Sequence, residues 1–327
     1  MQQPHEIIWT LTNAVVASRA LHVVAELGVA DHVDDEPVSV KELATACGAD
    51  VDSLDRVLRL LTAHGIFTQG GEDYGHTEPS RLLRSDHPMS MRAFARMMGL
   101  PVFSATFAQL EHSVRTGSPA LELVAPEGLW PYLQEHPSER DVFGQAMTAK
   151  AAGDTAAVLG GYDFGRFGTI ADIGGGRGHL LHAVLDAVPT AEGILFELPE
   201  VVETLDLQHD RMTPHAGDFF VDPLPGADAY ILMEVIHDWP EAEAAAILSA
   251  IRRAAEPGAN VLIIEGVVEE EEADSRVQTL DIIMLSVTGG RERTPTQLSE
   301  LLEGAGFRLT RVIRTSGAMR IVEAEAM

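Results

Sequence analysis

Residues 172–178 read DIGGGRG, and this glycine-rich stretch decides how the C-terminal half of the sequence is interpreted. It begins at the end of a short strand predicted at 169–173 and leads into residues 178–188, which have helical apolar spacing. Glycines at such a junction let the backbone approach a ligand where any Cβ would clash. In an open parallel sheet, ligands bind at the carboxyl ends of the strands, so the stretch predicts a ligand site.

The spacing of these glycines distinguishes between two kinds of cofactor. A dinucleotide fingerprint requires G-x-G-x-x-G. Counting from Gly174 gives glycines at 174, 176 and 178 with His179 next, and counting from Gly175 puts Leu180 at the last glycine position, so neither count fits. That spacing, directly after the acidic Asp172, suits a nucleoside without a pyrophosphate. A tight turn kept for packing alone is the alternative that the motif leaves open.

Strands alternate with helices from residue 169 onward. Further strands are predicted at 193–196, 227–235 and 260–268, further helices at 240–257 and 294–305, and a closing hairpin at 308–313 and 319–324. This order predicts an α/β domain whose mostly parallel sheet is covered on both faces. The hairpin adds antiparallel strands at one edge.

The N-terminal third is predicted to be helical. Residues 7–27 are apolar on more than one side, which predicts a homodimer because a helix on one core needs only one apolar stripe. Helices at 39–47 and 50–64, followed by a hairpin at 66–76, form a winged-helix pattern. We expect three regions: a winged-helix dimerisation domain (1–88), a helical substrate-lid region (89–160) and a cofactor-binding domain (161–327).

Composition narrows the partners and the location. The net charge of -27 opposes binding to nucleic acid and to anionic membranes. No uncharged stretch of membrane-spanning length is found, so no membrane span is expected. The single cysteine, Cys47, fits a reducing cytoplasm, and no metal site is predicted.

Several acids and one histidine occupy positions where chemistry is expected. Glu197 ends the second strand, and Asp218 with Phe219 follows a third strand. His237 follows the fourth strand on the edge of the glycine loop, and histidine is the side chain best matched to proton abstraction near neutral pH. Glu265 lies inside an apolar strand and therefore needs a partner.

Five motifs together carry a family resemblance. The stretches DIGGGRG, FELP, GDFF, HDW and GGRERT, in this order and spacing, resemble the plant-type small-molecule O-methyltransferases, which include caffeate and acetylserotonin methyltransferases. The bacterial secondary-metabolism branch is the most similar, and the resemblance covers nearly the whole chain. It implies a class I methyltransferase sheet of Rossmann-like form behind a winged-helix dimerisation domain, acting on a small hydroxylated, phenolic or polyketide-like substrate.

The resemblance also implies roles for individual residues. The S-adenosylmethionine site would comprise Asp172, Gly174, Gly176, Glu197, Asp218 and Phe219. His237 would deprotonate the acceptor hydroxyl, with Glu265 and Glu292 flanking it. Apart from the resemblance, the residues predicted to contact the substrate are Phe143, Met147, Asp238 and Met284. Met and aromatic side chains adapt to flat ligands, and a role in the core is the alternative for those of the helical region. Met233 stands where many family members have a lysine that contacts the cofactor, so that contact is not expected here.

Two other functions remain open from the sequence. Some proteins similar to this family bind the same cofactor yet hydroxylate or decarboxylate polyketides. A winged helix can also belong to a DNA-binding regulator. However, residues 52–59 on the second helix of this pattern carry mixed charge, whereas readers of a DNA groove need Arg, Lys, Asn and Gln.

Overall fold

The computed structural model describes residues 3–205, 209–269 and 274–327. The chain divides into two compact units. The first unit comprises Met1–Ser104 and Leu133–Lys150, and the second comprises Ala105–Tyr132 and Ala151–Met327. The three predicted regions, 1–88, 89–160 and 161–327, stay a prediction.

Helices and strands are numbered in chain order. The helices are α1 (Pro4–Leu27), α2 (Val40–Cys47), α3 (Val51–Ala63), α4 (Glu78–Arg81), α5 (Arg92–Met97), α6 (Pro101–Ala108), α7 (Leu110–Thr116), α8 (Leu129–Glu135), α9 (Pro137–Gly161), α10 (His179–Ala187), α11 (Pro199–Val202), α12 (Glu241–Ala254), α13 (Ser275–Val287) and α14 (Pro295–Gly304). The strands are β1 (Val38–Ser39), β2 (Phe67–Gly70), β3 (Asp73–His76), β4 (Thr169–Ile173), β5 (Glu192–Glu197), β6 (Met212–Ala216), β7 (Ala229–Met233), β8 (Asn260–Gly266), β9 (Phe307–Arg314) and β10 (Met319–Ala326).

The first unit contains the predicted pair of helices and hairpin. Ser39 caps α2 and forms a capping box with Glu42, and Asp50 caps α3. The hairpin β2–β3 pairs antiparallel, and β1 extends it in the order β1-β3-β2. On the outer face of α3, each of its two arginines forms an ion pair with an acid one turn earlier: Arg56 with Asp52 at 4.0 Å, and Arg59 with Asp55 at 2.9 Å. This face therefore presents neutralised pairs, which do not favour a DNA phosphate backbone.

Helix α1 exposes large apolar side chains. Ile8, Trp9 and Leu11 are 66%, 72% and 70% exposed, and Val15 is 63% exposed. By length and composition alone, α1 could also cross a membrane. The core helix of a soluble protein and a signal sequence meet the same two criteria. An apolar surface of this kind marks an interaction site in a folded protein.

The second unit is built on a seven-stranded sheet in the order β6-β5-β4-β7-β8-β10-β9. Neighbouring strands from β6 to β8 pair parallel, whereas β10 pairs antiparallel with both β8 and β9. This confirms the predicted class I methyltransferase sheet with its antiparallel C-terminal hairpin. The strand order reverses direction between β4 and β7, and ligands of open α/β sheets bind beyond the carboxyl ends of the strands at such a point.

Strand β7 and helix α13 are among the elements that differ from the sequence-based prediction. Strand β7 ends at Met233 rather than Val235, because Glu234 has a φ of 54° and the chain leaves the extended conformation there. Helix α13 is not predicted, since its buried and exposed apolar residues do not form a single stripe. Helix α14 begins with the predicted capping box of Thr294 and Gln297.

Candidate active site

The glycine loop turns the chain from β4 into α10. Gly174, Gly176 and Gly178 have φ values of 69°, 58° and 75°, in a region that residues other than glycine rarely adopt. A Cβ at Gly175 would lie 2.4 Å from the carboxyl group of Asp172. A Cβ at Gly176, in contrast, would meet no atom of the described chain within 4 Å. The loop is therefore packed tightly on the sheet side and has room for a ligand beside Gly176.

Two acids lie under this loop. Asp172 is buried, and its Oδ1 has no hydrogen-bond partner among the described residues. The carboxylate of Glu197 accepts hydrogen bonds from the backbone N–H groups of Gly176 (2.9 Å) and Leu198 (2.8 Å). Burial and then the charge of Glu197 raise the pKa of Asp172 to about 7, and burial raises the pKa of Glu197. A ligand that brings positive charge and hydroxyl donors fits this pair.

Aromatic rings connect the glycine loop with the turn after β7. The ring of Phe219 would lie 3.7 Å from a Cβ at Gly174, and its centroid is 5.9 Å from that of Trp239. Phe220 packs edge-on against both rings, at 4.8 Å from Phe219 and 4.7 Å from Trp239. The carboxylate of Asp218 accepts from the Phe220 N–H, which fixes this turn. The glycine loop and the turn that follows β7 thus share one aromatic wall.

His237 lies in a 3₁₀ turn, Ile236–Asp238, that directly follows β7. Its Nδ1 is 2.7 Å from Glu292 Oε1, and its backbone N–H donates to Glu265 Oε2 at 3.1 Å. All three residues are at most 3% exposed. The structure therefore brings the three predicted catalytic residues together. The sequence predicts that the buried carboxylate of Glu265 has a partner, and in the structure that partner is the backbone N–H of His237.

The charges around His237 favour its protonated form. Burial alone would lower the pKa of His237, but the hydrogen bond to Glu292 and the charges of Asp238, Glu292 and Glu265 outweigh burial and raise it. Burial raises the pKa of Glu265. A carboxylate can only accept, so Glu292 accepts a hydrogen bond from Nδ1–H of His237, and Nε2 is left as the basic nitrogen. Asp238 Oδ1 lies 3.8 Å from that Nε2.

The predicted substrate residues are distributed over both units. Asp238 adjoins His237, whereas Met284 is a buried residue of α13 in the second unit. Phe143 and Met147 belong to the part of α9 that lies in the first unit, where the ring of Phe143 stacks on Phe103 at 6.5 Å. The contact of these four residues with a substrate stays a prediction.

Three neighbours of the candidate site were not predicted. Asp281 Oδ1 accepts from the Glu292 N–H at 2.9 Å and so holds the chain that carries this acid. Gly290 and Arg293, in the same GGRERT stretch, contact the turn of His237. The available signal was a pair of glycines and an arginine before a helix cap, which by itself is ambiguous between packing and chemistry.

Comparison with known proteins places this site in a family. The sequence model of the O-methyltransferase domain matches residues 107–308, and that of the O-methyltransferase dimerisation domain matches residues 9–86. The chain belongs to the O-methyltransferase family. It is an S-adenosylmethionine-dependent O-methyltransferase that carries the dimerisation domain of the family.

Individual relatives cover almost the whole chain. The phenazine O-methyltransferase PhzM of Lysobacter antibioticus is 38% identical over 97% of this chain and 95% of its own. The crystal structure of human N-acetylserotonin methyltransferase in complex with S-adenosylmethionine has a TM-score of 0.93 at 28% identity, over 100% of this chain and 98% of that one. The O-methyltransferase NcsB1 from neocarzinostatin biosynthesis, solved with S-adenosylmethionine and 2-hydroxy-5-methyl naphthoic acid, has a TM-score of 0.79 at 34% identity, over 95% and 96%.

Proposed function

We propose that this methyltransferase transfers a methyl group to a phenolic hydroxyl of a small, flat aromatic or polyketide-like metabolite, with His237 as the general base. The observation that carries the proposal is the buried 2.7 Å contact between His237 Nδ1 and Glu292. This contact leaves Nε2 to accept the proton of the acceptor. As the phenolic oxygen loses its proton to Nε2, the imidazolium that forms is stabilised by Glu292 and by the nearby Glu265.

The residues around the glycine loop fit the cofactor. Asp172, with one oxygen lacking a partner among the described residues, would face the positively charged methionine portion beside Gly174 and Gly176. Glu197 would accept from the ribose hydroxyls, and Asp218 with Phe219 would hold the adenine. When bound, S-adenosylmethionine supplies a methyl group already activated by its sulfonium.

The class of acceptor rests on two supports. One relative is named for phenazine, and another was solved with a hydroxylated naphthoic acid, and both are flat aromatic molecules. The aromatic wall of Phe219, Phe220 and Trp239 beside the histidine turn supplies ring faces and edges suited to such a molecule. We propose Asp238 and Met284 as further contacts of the acceptor.

Mass spectrometry of the product tests this function. The protein is incubated with S-adenosylmethionine and either 2-hydroxy-5-methyl naphthoic acid or a hydroxyphenazine, and we expect a product heavier by one CH₂ unit. A product heavier by one oxygen atom, or one that has lost carbon dioxide, would instead assign a hydroxylase or a decarboxylase.

A substitution in the glycine loop provides the matching test of the cofactor site. Asp172→Lys should weaken binding of S-adenosylhomocysteine about tenfold or more, because it replaces a charged hydrogen-bond acceptor by a cation. Asp186→Lys, which makes the same charge change at a residue whose side chain is 64% exposed on α10, is the control and should bind normally in calorimetry. Equal affinities of the two variants would refute the assignment of Asp172.

We also propose that the apolar face of α1 packs against a second copy of the chain. The double substitution Leu11→Asp and Val15→Asp adds two charges to this face and should reduce the mass measured by light scattering from twice the chain mass to the chain mass. Thr45→Asp with Ala46→Asp adds the same charge at exposed positions of α2 and should leave the dimer intact. A wild-type protein that scatters as a monomer would contradict the proposal.

A further inference from the structure

Arg293 has an unusual environment for a charged residue. Its side chain is fully buried, and its guanidinium donates to the carbonyl oxygens of Ile236 (3.1 Å) and Trp239 (3.0 Å). Glu241 accepts from it at 3.3 Å, but the side chain of that glutamate is 63% exposed. Burying a guanidinium is costly unless its hydrogens are bonded, so these two carbonyls are essential partners. They flank His237 and Asp238 on either side.

The stretch before Arg293 follows the same turn. The Arg291 N–H donates to the carbonyl oxygen of His237 at 2.8 Å. A Cβ at Gly290 would lie only 1.9 Å from that carbonyl oxygen, so only glycine permits this approach. Glu292 contacts the imidazole itself. Four consecutive residues, 290–293, thus contact the turn that carries the histidine.

The backbone of Arg293 is in turn anchored to the sheet. Its carbonyl oxygen accepts from the Val268 N–H at 3.0 Å, and it forms a parallel bridge with Val267, just beyond the end of β8. Within the turn of His237, the described residues form two 3₁₀ backbone bonds of 3.2 Å, from the Asp238 N–H to the Val235 carbonyl and from the Trp239 N–H to the Ile236 carbonyl. Such short 3₁₀ segments have poorer hydrogen-bond geometry than α-helices. An external support is therefore needed to hold the imidazole in one place.

We infer that Arg293 and Gly290 are positioning residues, which fix the turn of His237 so that its imidazole meets both Glu292 and the acceptor hydroxyl. The planar guanidinium bridges two carbonyls that lie on opposite sides of the histidine, and the flexible ammonium of a lysine cannot reproduce this bridge. Gly290 sets the distance between the two chain segments. The inference rests on the proposed role of His237 as the base.

The test compares Arg293→Met, Arg293→Lys and Gly290→Ala with the control Arg291→Met, which removes an exposed neighbouring arginine but keeps its backbone N–H. We expect kcat to fall about 10²-fold in Arg293→Met and in Gly290→Ala, since small misplacements of a catalytic group have this effect. The affinity for S-adenosylhomocysteine should be unchanged. Arg293→Lys should recover kcat only in part. The control should match wild type.

Gly290→Ala keeps every charge and has no large apolar side chain to lose, so it tests the inference even if Arg293→Met does not fold. Three outcomes would overturn the inference. They are a wild-type kcat in Gly290→Ala, a wild-type kcat in Arg293→Lys, and a loss of cofactor affinity that parallels the loss of kcat. His237→Ala is measured alongside. If kcat is low for His237→Ala but normal for Gly290→Ala, only the positioning role is refuted. If kcat is normal for His237→Ala, the proposed role of His237 as the base is refuted.

Discussion

Replacing His237 by alanine is expected to lower kcat by about 10²–10⁴-fold, the usual contribution of a general base. Affinity for S-adenosylhomocysteine should remain at the wild-type value, because the glycine loop and its acids belong to other segments of the sheet edge. Methyl transfer from the sulfonium needs alignment and the loss of one proton. The variant removes the acceptor of that proton but leaves the alignment by the cofactor site in place.

The measurement is steady-state turnover of the acceptor together with calorimetry of the cofactor product. His64→Ala, at an exposed histidine that follows α3 in the first unit, is the control for a lost imidazole and should behave as wild type. A His237→Ala variant that turns over at the wild-type rate would exclude the imidazole as base. A variant that no longer binds the cofactor would instead assign His237 a structural role.

The features that could be predicted from the sequence are those determined by strand order. The glycine loop after β4 and the histidine after β7 each follow an apolar strand, and the carboxyl ends of parallel strands lie at one edge. Their proximity follows because β4 and β7 are adjacent in the sheet. The buried acid in β8 can be predicted by a different argument, since an unpaired carboxylate in an apolar strand needs a partner.

The features that could not be predicted depend on contacts between distant segments. Nothing local to Arg293 indicates that its guanidinium is buried under the backbone of residues 236–239. Likewise, Asp281 lies in α13, a helix whose apolar residues do not form a single stripe. Neither this helix nor the hydrogen bond from the Glu292 N–H to Asp281 can therefore be inferred from the spacing of apolar residues. A buried arginine and a surface arginine have the same letter, and only the fold distinguishes Arg293 from Arg291.

Replacing Glu292 by glutamine is expected to change both the rate and its pH dependence. Turnover requires neutral His237, and the hydrogen bond and the negative charge of Glu292 raise the pKa of this imidazole against the effect of burial. In the wild type, kcat should therefore rise with pH through a pKa above the ordinary range of histidine. Removing the charge lowers that pKa, so the rising limb in Glu292→Gln should move to lower pH.

The maximal rate of Glu292→Gln should also fall, by about 10²-fold or more. The amide of glutamine can donate to Nδ1, which places the proton on Nε2 and removes the base, whereas the carboxylate can only accept from Nδ1. Glu300→Gln makes the same charge change at an exposed position on α14 and should leave the pH profile unchanged. A limb that stays in place, or moves to higher pH, would show that Glu292 does not set the protonation of His237. The direction of the shift thus tests the electrostatic role of the buried pair separately from its effect on rate.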